Sequence, residues 1–261
     1  MDVVLLGAGN LATNLAFALN EKGYSLKQVY SRTEESAKTL ARALDTDFTN
    51  EIDEIDPGAD LYFVSLKDDV IKDVLSRITF QPPLIVHTAG SVSIRVFDSF
   101  FENYGVFYPL QTFSKNRRTD FRNIPLCLEA NSDENLKTLE KIAKDLSNEV
   151  HILSSEQRLH LHVAAVFACN FTNFMFVGAE KILRKNDIPF HILLPLIQET
   201  VDKIYQNSPL ESQTGPAVRK DKQTMDRHLK LLSDSGLFQN LYRFVSDEII
   251  NYYQNNMECN D

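Results

Sequence analysis

The chain has 261 residues and a formal net charge of -9, with 36 acidic against 27 basic side chains. That balance excludes a broad nucleic-acid or anionic-membrane surface, because phosphate binding over a large area needs clustered Lys and Arg; it leaves room for a local basic pocket. At 43% hydrophobic and 24% charged, the sequence predicts a packed core, and its length suits two domains. Cys127, Cys169 and Cys259 are far apart and form no C-x-x-C, so no disulfide framework and no metal site is expected. Met1 leads directly into the first strand, and the expected compartment is the reducing cytoplasm.

Val3-Val4-Leu5-Leu6 is an apolar run of the kind found in buried parallel strands. Gly7-Ala8-Gly9-Asn10-Leu11-Ala12 follows and fits G-x-G-x-x-A, a form of the dinucleotide-binding fingerprint. In that motif Gly7 makes the turn and Gly9 lets a pyrophosphate approach the backbone. Asn10 and Leu11 open the helix whose free N–H groups face the diphosphate. The first helix runs from Asn10 to about Lys22, with Gly23 placed to end it. A second strand, Leu26 to Tyr30, ends in Ser31-Arg32-Thr33. An acidic residue there would accept from the ribose 2′-hydroxyl of NAD, whereas Arg32 suits the 2′-phosphate of NADP. Glu34 and Glu35 remain as possible ribose partners.

Glu34 to Leu44 reads as a helix and Asp47 to Thr49 as a short strand. Leu61 to Leu66 is a buried strand leading to Lys67, and Leu84-Ile85-Val86 is another leading into His87-Thr88-Ala89-Gly90. Ligands of open parallel sheets bind beyond the carboxyl ends of strands, so Ser65, Leu66, Lys67 and Thr88 join the predicted cofactor cleft. Two further strands at 105–108 and 124–128, a helix from Asp133 to Ser147 and a strand from Val150 to Leu153 complete the first domain, 1–153. The fold class is therefore α/β, a Rossmann-like mostly parallel sheet followed by an all-α domain, 154–261.

Ser154 and Gln157 form a capping-box pattern before a long helix that ends near Asn186. Leu159 to Ala179 approaches the length of a membrane span. Its His160, His162, Asn170, Thr172 and Asn173 argue instead for a helix buried in protein, between subunits of a homodimer. At helical phasing His162, Val166, Cys169 and Asn173 share one stripe. Helices at 190–205, 221–232 and 237–253 follow, with a loop at 208–216 and a frayed tail from Asn255. The Phe-rich stretches at Phe97, Phe100, Phe101 and at Phe167, Phe171, Phe174, Phe176 read as core.

Four motifs carry a resemblance: His87-Thr88-Ala89-Gly90; Phe107-Tyr108-Pro109-Leu110-Gln111-Thr112-Phe113; His162-Val163-Ala164-Ala165-Val166-Phe167-Ala168-Cys169-Asn170; and Thr214-Gly215-Pro216-Ala217-Val218-Arg219-Lys220-Asp221. Together they resemble a family that joins a Rossmann-like domain to domain of unknown function 2520, provisionally labelled NADP oxidoreductases. Its wider superfamily includes pyrroline-5-carboxylate reductase, ketopantoate reductase and the beta-hydroxyacid dehydrogenases. The resemblance implies NADP and a small-molecule substrate. It also marks two departures. The family usually has Gly where this chain has Lys220, and the wider superfamily's catalytic Lys, four residues before an Asn, corresponds to Val166 if Asn170 is that Asn.

The candidate catalytic set is His87 first and His162 second as proton relay, Asn170 to orient the substrate and Arg219 to hold an anion. Each has a plainer reading, as a core histidine, a satisfied buried amide or a structural ion pair. The expected function is an NADP-dependent oxidoreductase moving hydride to or from a small polar, anionic carbonyl or imine. The alternative is a non-catalytic NADP-binding sensor of redox state. Hydrolase motifs G-x-S-x-G and H-E-x-x-H do not occur.

Overall fold

The structure is a computed structural model that describes residues 1–258; Cys259 and the end of the predicted tail lie outside the described residues. The first element is β1 (Asp2–Leu6), followed by α1 (Asn10–Glu21), β2 (Ser25–Tyr30), α2 (Glu34–Leu44) and β3 (Asp47–Thr49). Then come β4 (Leu61–Val64), α3 (Ile71–Arg77), β5 (Ile85–His87), β6 (Tyr104–Pro109), β7 (Leu126–Ala130), α4 (Asp133–Leu146) and β8 (Val150–Ile152). They form one eight-stranded sheet in the order β3-β2-β1-β4-β5-β6-β7-β8. All neighbours run parallel except β6 and β7, which are antiparallel. The order reverses beside β1, which makes the β1/β4 crevice the switch point where open sheets bind ligands.

Period-two alternation decides which face each side chain covers. Val3 and Leu5 pack with α1, α2 and α4. Val4 and Leu6 pack on the other face with Ile71, Val74 and Leu75 of α3 and with Phe97 and Phe101. The first Phe-rich stretch is thus core, as its composition suggests. Gly23, at a φ of 82°, ends α1: its amide donates to Asn20 and that of Tyr24 to Leu19.

The chain divides into two compact units, Met1–Ala168 and Cys169–Asp261. The division falls inside one continuous helical run. α5 (Ser155–Ala165) opens with the expected capping box of Ser154 and Gln157. It passes through a π-helical turn (Val166–Phe171) into α6 (Thr172–Arg184). The π turn overturns the stripe phased at 3.6 residues per turn, because i→i+5 bonding rotates every later side chain relative to His162. Burial also differs from expectation. Leu159, Val163, Phe167, Phe171, Phe174 and Met175 are all exposed, Phe167 at 65%, and Phe176 is half-buried, so the second Phe-rich stretch is not the buried core its composition suggests. Among the described residues, Ser155–Arg184 is the one helix long and apolar enough to cross a membrane by length and composition.

The second unit continues with α7 (Leu194–Gln206), α8 (Pro209–Ser212), α9 (Lys222–Leu231) and α10 (Gly236–Glu258). α8 lies within the predicted loop; Pro209 at its start and a Ser208–Glu211 capping box suffice for one turn. α10 runs on past the predicted end, through the first residues of the tail. Asp221 caps α9 through its carboxylate and the Thr224 amide. Just before it, Lys220 holds a φ of 54°, the left-handed conformation that glycine adopts without strain. The turn therefore survives the substitution, at a cost of order 1 kcal/mol. Lys220→Gly should raise stability by up to about 1 kcal/mol, the strain relieved being partly offset by glycine's entropy. Urea unfolding of the variant beside the parent measures the difference, and no increase would mean the turn is unstrained.

Candidate active site

Gly7 holds the crevice together. Its φ is 128°, its amide donates to Tyr30 O at 2.7 Å, and a Cβ there would lie 2.1 Å from Ser65 O. Only glycine lets β1, β2 and β4 converge so closely at their carboxyl ends. A Cβ on Gly9 would meet nothing within 4 Å, so the space above it is open. Gly9 is the N-cap of α1, with no side-chain cap and no acidic residue in the first turn, which leaves the first N–H groups free for an anion.

That space continues into a cleft of about 390 Å³. Gly7, Ala8, Gly9, Ser31, Arg32, Thr33, Ser65, Leu66 and Lys67 line it. Tyr30, Ser36, Arg77 and Lys115 join them, from β2, α2, the end of α3 and the loop after β6. Among the described residues none of Arg32, Lys67, Arg77 and Lys115 is ion-paired. Tyr30 is buried, which raises its hydroxyl pKa, while the charges of Arg77 and Arg32 both oppose the rise. The two guanidinium groups therefore act on one end of the cleft, against which Thr33 bonds Ser36 at 2.8 Å. Asn10 and Leu11 take their place at the start of α1, but Thr88 does not line the cleft. It is buried, its amide donating to Val64 O at 3.1 Å.

A second cluster lies at the ends of β4, β5 and β6. The Ser91 hydroxyl donates to the Asp68 carboxylate, tying the loop after β5 to the loop after β4. Tyr108, near the end of β6, is buried against Val106, Cys127 and Leu161, and burial pushes its phenol up to about 12. Its hydroxyl lies 3.1 Å from His162 Nδ1. The His162 ring rests on Gly90, where a Cβ would be 2.6 Å from Nδ1 and 2.8 Å from Tyr108 Cζ. What holds His162 there is Arg158, one turn earlier on α5 and only 1% exposed. Arg158 donates to Glu129 of β7 and to Val92 O, each at 2.5 Å. Ser155 adds a hydroxyl to Glu129 at 2.7 Å and accepts from the Ile94 amide at 2.9 Å.

His87 does not reach a cleft. It has no exposed surface, stacks on Phe97 at 5.6 Å and accepts from the Ala89 amide through Nδ1 at 3.2 Å. Strand alternation is the reason, since His87 falls on the same face as Ile85. Burial pushes its pKa down to about 3, the Arg158 charge adding to the fall. A neutral imidazole with no exposed surface, stacked on Phe97, is not placed to exchange a proton with a substrate, which corrects the expectation of His87 as a relay. His160 bonds the Glu156 carbonyl at 2.8 Å on an exposed face. Asn170 sits in the π turn and Arg219 precedes α9; both are exposed and belong to the second unit.

Residues 124–249 match the profile described as domain of unknown function DUF2520, and residues 2–90 match the one described as NADP oxidoreductase coenzyme F420-dependent. A Bacteroides fragilis protein, provisionally described as the NADP oxidoreductase BF3122, is 47% identical. The match covers 96% of this chain and 98% of that one, with a TM-score of 0.90. The chain belongs to that family. An imine reductase from Myxococcus stipitatus in complex with NADP+ (17% identity, 99% and 95% covered, TM-score 0.69) shares the fold. So does a 1-pyrroline-5-carboxylate reductase from Streptococcus pyogenes (17%, 98% and 98%, TM-score 0.63). No curated protein matches.

Sequence reasoning missed Arg77, Lys115, Tyr108 and Arg158 in this family member. Tyr108 was within reach, since it nears the carboxyl end of a parallel strand. Arg77 and Lys115 reach the cleft from elements that no local pattern pairs with the glycine turn. Unfolded His87 takes up a proton below its ordinary pKa of 6.5, whereas folded His87 stays neutral down to about 3. Between those limits the unfolded chain binds more protons, so His87 should make stability fall with falling pH. His87→Leu should flatten that slope; urea unfolding between pH 7 and pH 4 checks it, and parallel curves for parent and variant would contradict it.

Proposed function

We propose that this family member is an NADP-dependent oxidoreductase that moves hydride to or from a small polar, anionic carbonyl or imine compound. The observation that carries the reading is the cationic cleft at the glycine turn. Gly9 leaves a cradle at a free helix N-terminus, and Arg32, Lys67, Arg77 and Lys115 surround it, without ion partners among the described residues. In a chain of net charge -9, such a cluster marks a place for a polyanion. Ser31, Arg32, Thr33, Ser36 and Arg77 suit a 2′-phosphate; Gly7, Ala8, Gly9, Asn10 and Leu11 suit the pyrophosphate.

Bound NADPH would supply hydride, and the protein supplies position, charge and a proton. His162 is assigned as the proton relay, beside Gly90 and Tyr108. Asn170 is assigned to orient the substrate, supported by its place in a π turn, a distortion frequent at functional sites. Arg219, exposed and without an ion pair among the described residues, is assigned to hold the substrate anion. Val166, at the position of the wider superfamily's lysine, favours a second reading, a non-catalytic redox sensor on the same cleft.

The purified chain should bind NADPH more tightly than NADH, and Arg32→Ala should weaken NADPH by about 10- to 100-fold while changing NADH little, the worth of one charged hydrogen bond. Titration by protein fluorescence quenching and NADPH fluorescence measures both. Equal affinities would sink the assignment. Turnover of NADPH with a panel of 2-oxo acids and cyclic imines separates enzyme from sensor.

The same reading places the protein in the cytoplasm as a homodimer. The exposed apolar side chains of α5 and α6, from Leu159 to Met175, support a two-fold partner over a lipid phase. His162, Asn170 and Asn173 lie among them and would be costly in hydrocarbon. Light scattering without detergent should give twice the chain mass, and Phe167→Glu should shift it toward the monomer. A detergent-free monomer at micromolar concentration would remove the dimer.

A further inference from the structure

Tyr108 has a hydroxyl and one place to put it. Its ring is enclosed by Val106, Cys127 and Leu161, and among the described residues its oxygen hydrogen-bonds only His162 Nδ1, at 3.1 Å. Burial pushes the phenol up to about 12, so it keeps its hydrogen at neutral pH. A buried O–H that does not donate forfeits more than an oxygen that does not accept. That asymmetry favours Tyr108 as the donor of this bond and Nδ1 as its acceptor. In a neutral imidazole only one nitrogen carries hydrogen, and the partner of the other decides which.

Three features place the ring so that this choice has consequences. Gly90 lies against it, with room for no Cβ. Arg158, four residues earlier on α5, is locked to Glu129 and Val92, which sets the height of His162 above the sheet. The Ser91–Asp68 bond closes the adjoining loops. The pair thus stands over the ends of β4, β5 and β6, beyond the switch point.

We infer that Tyr108 is the positioning residue for His162: by donating to Nδ1 it locks the imidazole in the Nε2–H form, so that Nε2–H is the hydrogen bond offered to the oxygen or nitrogen of the substrate, the proton that the substrate keeps coming from solvent by way of that ring. The inference rests on the proposed reductase reading for its use, but not for its existence. Tyr108 itself touches no substrate in this scheme. Its effect on turnover passes through the tautomer, and its phenyl ring keeps the packing of β6.

The test is long-range proton–nitrogen NMR on the full chain labelled with 15N-histidine, at a pH where the imidazole is neutral, with His162 assigned by loss of its signals in His162→Gln. The expected result is Nε2–H in the parent and a mixture, or Nδ1–H, in Tyr108→Phe. Gly90→Ala, which wedges a methyl group between the two rings, should loosen the tautomer in the same way. Nδ1–H in the parent overturns the inference, and so does a Tyr108→Phe spectrum identical to the parent's. If Tyr108→Phe fails to fold, the parent tautomer alone decides. Where the substrate panel yields turnover, Tyr108→Phe should lower kcat about tenfold or more with KM for NADPH unchanged. An unchanged kcat, or a change confined to KM, overturns the positioning role. A locked tautomer with no turnover of any panel compound counts against the reductase reading and leaves the lock standing.

Discussion

Arg158 carries a full charge into a place that is 1% exposed, and the architecture around the candidate site depends on how that charge is answered. Glu129 answers it from β7, with Ser155 and the Val92 carbonyl taking further hydrogens. A buried ion pair is weak as a source of net stability, since desolvating two charges consumes most of their attraction. Its value here is geometric. Few arrangements satisfy both ions, so α5 meets the sheet at one height and one rotation. His162 lies one turn beyond, and the loop at Val92 and Ile94 is held by the same bonds. The Arg158 charge also reaches inward, lowering His87, Tyr108 and Cys127 against their burial or with it.

The glycine cleft shows a different use of charge. The chain as a whole is acidic, yet four cations collect around one opening, and among the described residues none of them pairs with Asp73, the carboxylate that lines it with them. Cations in a cleft walled by low-dielectric protein keep a field that exposed surface charges lose to screening. They arrive from four separate elements, which argues for a site built around a ligand with charge at more than one point. A dinucleotide phosphate has that form. The turn itself is made by backbone: Gly7 is required by the proximity of Ser65, and Gly9 by nothing in the protein, which leaves the ligand as its reason.

The helical run shows apolar surface and polar distortion on one element. Its Leu, Val and Phe side chains are exposed, while its π turn carries Asn170. A regular α-helix would have kept His162 and Asn173 on one stripe. The wider turn separates them.

Much of this protein is local and was therefore legible in its sequence. Gly23 at the end of α1 and the Ser154–Gln157 capping box depend on contacts within a few residues, so pattern reveals them. The apolar run, the G-x-G-x-x-A turn and Arg32 at the end of β2 were legible as parts of one motif, although Gly7 meets Ser65 and Tyr30 across the sheet. The motifs together also pointed to the right family. Tertiary structure decided the rest. That His87 is sealed in the core while His162 lies against Tyr108 and Gly90 turns on strand parity and on an ion pair 29 residues apart in sequence, neither of which a motif encodes. Arg77, Lys115, Tyr108 and Arg158 owe their places to which strand lies beside which. The phase of the long helix was lost to a π turn that composition does not signal. Local hydrogen bonding writes itself into neighbouring residues, whereas long-range packing fixes a side chain only when the whole sheet has closed around it.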